Sequence, residues 1–61
     1  MKLISVKLIQ DKYNLIALMT VDSVEVDEKF NDIILSNKND VIAVVSGTLE
    51  KEDDAHYIIH I

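Results

Sequence analysis

The sequence predicts a small α+β domain, and three observations point there. Sixteen of the 61 residues are Val or Ile, side chains whose stiff χ1 suits a pleated strand better than a helix. The apolar residues come in short runs or in strict alternation, the lengths and periods of strands. One segment alone, residues 27–37, carries a helical spacing. The predicted arrangement is ββαββ, a four-stranded mixed and largely antiparallel sheet with one short helix. The alternative is an all-β five-stranded small barrel.

Residues 2–9 form the first predicted strand. Ile4, Val6 and Leu8 lie on one face and Leu3, Ser5, Lys7 and Ile9 on the other, a half-polar alternation that suits a sheet edge. Gln10 to Asn14 is a polar hairpin connection. Leu15 to Val21 is apolar on both faces, the pattern of a central strand covered from two sides. Asp22-Ser23 interrupts it and predicts a bulge or sharp bend before Val24-Glu25-Val26 resumes the alternation.

In residues 27–37, Asp27 is placed to cap a helix and Glu28 suits its first turn. Phe30, Ile33 and Ile34 fall at i, i+3 and i+4, and Asn37 can end it. Read as a strand, Ile33-Ile34-Leu35 would instead enter a hairpin turning at residues 37–40. The helical reading is preferred, and with it a right-handed crossover that sets the two inner strands parallel.

Val41 to Val45 is the second fully apolar run and the second predicted central strand. Residues 46–49 continue it around Gly47, whose lack of a side chain suggests a bulge or a close approach. Glu50 to Asp54 is a solvated turn. Residues 55–61 close the sheet, with Tyr57, Ile59 and Ile61 on one face and His56, Ile58 and His60 on the other. The halves mirror each other as hairpin, connector, hairpin, but no sequence repeat or linker divides this single domain.

Composition narrows the chemistry. With no cysteine there is no disulfide and no thiolate for zinc, so burial must offset the ordering entropy almost alone. A chain of this size buries only about 60% of the surface its unfolded form exposes. The apolar supply exceeds what one thin layer can hide, which predicts a homo-oligomer. The surplus falls on Leu15, Ala17 and Met19 in one run and on Val41, Ala43 and Val45 in the other.

The net charge is −5 and there is no arginine, the usual bidentate reader of phosphate and guanine, so duplex nucleic acid is not an expected partner. No stretch approaches the roughly 20 apolar residues of a membrane span, no signal-peptide pattern is present, and the cytoplasm is the default location. The Ile, Lys, Asn and Asp content suggests an AT-rich bacterial or phage genome.

No catalytic, metal or cofactor site is expected. His56 and His60 are four apart on a predicted strand, roughly 13 Å from each other, too far for one ion bound at about 2 Å per nitrogen. One glycine cannot build a nucleophile elbow or a phosphate cradle. The acidic runs 22–28 and 50–54 lack the glycine and closing glutamate of a calcium loop.

Lys7, Lys12 and Tyr13 with His56, Tyr57 and His60 are the residues that could contact a protein partner or an anionic small ligand at a subunit boundary. Three functions follow in order of preference. The first is a non-catalytic homo-oligomeric interaction protein that binds and modulates another protein, as an accessory regulator or a phage-type inhibitor does. The second is an oligomeric sponge sequestering an anionic metabolite or nucleotide, and the third an acidic mimic of nucleic acid.

Overall fold

A computed structural model describes residues 3–61, and among them the chain is all β. Seven strands follow one another: β1 (Ile4–Gln10), β2 (Asn14–Val21), β3 (Ser23–Asp27), β4 (Asp32–Asn37), β5 (Asp40–Ser46), β6 (Thr48–Asp53) and β7 (His56–His60). Sheet A has the order β2-β1-β7-β6 and sheet B the order β3-β4-β5. Lys2, where the predicted first strand opens, lies outside the described residues.

The α+β expectation is therefore corrected. Residues 28–31 are a turn and β4 is a strand, with Ile33 and Leu35 both buried and β3 and β5 paired on its two sides. Asp27 does accept a hydrogen bond two residues on, from the Lys29 amide at 3.1 Å, but it starts a turn and not a helix. The hairpin that follows turns on Lys38 and Asn39, at φ 51° and 69°, the paired left-handed residues of a two-residue turn that matches strand twist. Asn37 is not the left-handed residue. Of the barrel alternative, the all-β class agrees, although the strands number seven in two sheets.

A single residue, Asp22, separates β2 from β3, and a single residue, Gly47, separates β5 from β6. Each pair is one long strand that leaves one sheet and joins the other at a corner. The chain thus makes five excursions, β1, β2–β3, β4, β5–β6 and β7, and each pairs antiparallel with the next. An odd number of alternating strands can close only through one parallel pair. That pair is β1 with β7, from Ser5 opposite His56 to Ile9 opposite His60.

Strand positions differ from the expectation in a way that matters. β1 is interior, and the two apolar runs expected at the centre, β2 and β5, are sheet edges. The predicted parallel inner pair across residues 26–41 is replaced by β1 and β7. The core between the sheets is Ile4, Val6, Leu8, Val21, Ile33, Leu35 and Ile59. Around it pack the half-buried Ala17, Met19, Val24, Ala43, Val45, Leu49 and Tyr57.

Polar groups fix the first corner. The Asp22 amide donates to Ser36 O (3.2 Å) and to Asn37 Oδ1 (3.0 Å). The Lys38 amide donates to Asp22 Oδ2 (2.8 Å), and Asn37 Nδ2 to Thr20 O (3.3 Å). These bonds satisfy backbone groups that the ladder abandons where the strand changes sheets.

Aligning the two bent strands at their bulges exposes a correspondence hidden in the sequence. Residues 14–20, Asn-Leu-Ile-Ala-Leu-Met-Thr, match residues 40–46, Asp-Val-Ile-Ala-Val-Val-Ser, position by position. Ala17 lies opposite Leu8 and Ala43 opposite Leu35, and in each pairing the preceding isoleucine, Ile16 or Ile42, is the extra residue of a β-bulge. After the corners, Ser23-Val24-Glu25 matches Thr48-Leu49-Glu50. The halves are two copies of one architectural unit, each an apolar strand that bends into an acidic one.

Candidate interaction surface

The bulges decide which side chains face out. Alternation from Leu15 or Val41 alone points Leu15, Ala17 and Met19, and Val41, Ala43 and Val45, to one side. The extra residues at 16 and 42 break that phase. Ala17, Met19, Ala43 and Val45 turn inward against the core, while Leu15 and Val41 stay outside with Ile16, Leu18, Ile42 and Val44. These last six side chains are 48–63% exposed.

The four sheet edges are not alike. β3 carries Glu25 and Asp27, and β6 carries Glu50, Lys51, Glu52 and Asp53, charges of the kind that keep an edge from pairing with a stray strand. β2 carries none, and β5 has only Asp40 at its first residue. Within each bent strand the apolar half is unguarded and the acidic half is guarded. Exposed Phe30 and Val26 lie at the β3–β4 turn, and exposed Leu3 just before β1.

Compared with known protein families, curated proteins and solved structures, the chain matches none. Its function is read from its own surface.

The six residues singled out for a ligand or partner do not converge. Lys7, His56 and His60 share the outer face of sheet A, where Lys7 lies between Leu18 and Ile58. Lys12 and Tyr13 are at the exposed tip of the β1–β2 turn, with Lys12 in the left-handed region at φ 72°. Tyr57 points the other way, against the core, with the Lys51 ammonium 5.2 Å from its ring centre.

Each histidine already has a carboxylate. His56 Nδ1 lies 2.8 Å from Asp53 Oδ1, and His60 Nε2 lies 2.9 Å from Glu50 Oε1. Each carboxylate engages one ring nitrogen and sets negative charge where an anion would have to bind. Among the described residues there is no concave pocket and no cluster of three metal-ligating side chains. Among the described residues no helix is long and apolar enough to cross a membrane.

Among the described residues, Asp53 is the side-chain carboxyl with a marked shift. The Ala55 amide, donating to Oδ1 at 2.8 Å, and then the His56 ring hold it below its ordinary value. A carboxyl lowered in the folded state adds stability above its unfolded pKa, and that contribution fades as pH falls through the folded one. Titrating the side-chain carboxyl resonances by NMR should therefore find Asp53 ionised to lower pH than an aspartate without such partners. His56→Ala should bring the Asp53 titration part of the way back toward its ordinary value, the Ala55 amide bond remaining, and leave the neutral-pH fold intact, since both side chains are more than half exposed.

Proposed function

We propose that this protein is a non-catalytic interaction module, built to assemble with copies of itself and in that form to bind and modulate another protein. One observation carries the reading: two long sheet edges, β2 and β5, are bare, apolar and almost free of charge. The continuations of the same strands are guarded by carboxylates. A long, apolar, unguarded edge is a template for another strand, because its outward N–H and C=O groups lack ladder partners.

Copies of this chain are suited to fill it. They present the same uncharged edges, while the net charge of −5 resides elsewhere, so the molecules can approach along β2 and β5 with least repulsion. Assembly would leave the acidic segments β3 and β6 outside as the surface offered to a basic protein partner. The location we propose for it is the cytoplasm.

The test is a double substitution, Leu18→Lys with Val44→Lys, at two outward positions that are 63% and 58% exposed. The parent should sediment as a multiple of 6.9 kDa and the variant as a single chain with the parent's circular dichroism. A parent that is already a single chain at tens of micromolar, or a variant that keeps the parent's mass, rejects the proposal.

A further inference from the structure

The two unguarded edges differ in one respect, and it bears on how copies meet. β2 exposes Leu15, Ile16 and Leu18, whereas β5 exposes Val41, Ile42 and Val44 at the matching positions. The first edge is the larger-featured version of the second. Building on the self-association proposed above, we propose that the contact is head-to-tail, with β2 of one copy adding to β5 of the next.

Three considerations favour this pairing over like-with-like contacts. A β2–β2 dimer leaves both β5 edges bare, and a β5–β5 dimer leaves both β2 edges bare. Only a mixed contact covers every edge with a single kind of interface. The matched bulges at Ile16 and Ile42 and the matched inward alanines, Ala17 and Ala43, give the two edges one local shape and twist. An antiparallel pairing with Ala17 opposite Ala43 therefore sets Ile16 beside Val44 and Leu18 beside Ile42. The larger Ile16 then meets the smaller Val44, which fills space without crowding, while Leu18 and Ile42 are equal in size. Neither edge brings a like charge against the other, since Asp40 falls beside Thr20 in this register.

Head-to-tail contacts have a signature that no other geometry shares. Leu18→Lys blocks β2 and leaves β5 free, and Val44→Lys does the reverse. Each variant alone has no competent pair and should sediment as a single chain. Mixed in equal amounts, the free β5 of the first should take the free β2 of the second and stop there, giving a 1:1 complex of twice the single-chain mass. Sedimentation velocity of the two variants and their mixture reads this directly, with circular dichroism confirming that both are folded. A dimer formed by either variant alone, or a mixture that stays at single-chain mass, overturns the head-to-tail contact even if the double variant behaves as expected. A parent that is itself a single chain removes the self-association on which the inference rests.

Discussion

Ile59→Ala should lose most of the fold's stability, a drop of about 2–5 kcal/mol for a fully enclosed aliphatic side chain cut to a methyl group. A domain of 61 residues holds roughly 3–9 kcal/mol in all. The loss is therefore comparable with the whole. Ile59 is fully buried and lies opposite Leu8 on one side and Leu49 on the other, so it ties three of the four strands of sheet A together. It also stands on the strand that makes the parallel closure. Without it the cavity opens where the first and last strands meet, and no covalent link resists their separation because the chain has no cysteine. Urea denaturation at matched protein concentration checks it, since self-association would itself shift the midpoint. A change below about 0.5 kcal/mol, the range of ordinary surface substitutions, would mean that the closure does not depend on this side chain.

Gly47→Ala should cost nearly as much, for a reason of space and not of backbone freedom. Gly47 does not have a positive φ, yet a Cβ there would stand 2.5 Å from the carbonyl oxygen of His60 and 3.3 Å from Ile59 Cγ2. The first is a backbone atom of the closing strand and cannot swing aside like a side-chain tip. Either the corner between β5 and β6 opens or the end of β7 is pushed away from β1, and overpacking of this kind costs about 1–3 kcal/mol. The neighbouring Ser46→Ala serves as the comparison. It removes only an exposed hydrogen bond, from the Ser46 hydroxyl to Asp32 Oδ1 at 2.8 Å, and should change stability by about 0.5 kcal/mol or less. Thermal melts of the two variants should differ clearly. Equal melts would show that the corner has room to spare.

Much of the fold could be read from the residues because local signals and tertiary demands agreed. Ile4, Val6 and Leu8 are buried as the alternation requires. The chain turns at residues 11–13, bends at Asp22 and comes close to a neighbour at Gly47, where the turn formers and the lone glycine had marked it. Residues 27–37 misled because Phe30, Ile33 and Ile34 happen to satisfy the helical period. In the fold Phe30 is exposed in a turn, while Ile33 and Leu35, two apart, bury the strand face. No local signal outweighs the pairing that β4 gains from neighbours on both sides.

The exposed apolar surface was legible in amount but not in place. The two strongly apolar runs of the sequence are the two bare edges. A strand apolar on both faces looked central, and the same pattern arises when the second face is left uncovered. The individual residues were misassigned in phase, since an extra residue in a bulged strand reverses which side chains face out. Ala17, Met19, Ala43 and Val45 went inward, and Ile16, Leu18, Ile42 and Val44 took their place outside. The correspondence of residues 14–20 with 40–46 is plain once the bulges are aligned, but conservative exchanges of Leu, Met and Val hide it from a search for identical residues.

Whether β2 and β5 are covered in solution is best measured amide by amide, by hydrogen exchange across a dilution series. An edge strand bonds alternate amides to its neighbour and leaves the others to solvent. If copies pair along these edges, residues 15–21 and 41–46 will be protected without a break at high concentration, and every second amide will lose that protection on dilution. Alternate amides that exchange at open rates at every concentration would contradict the account, because both edges would then stand bare in the working protein.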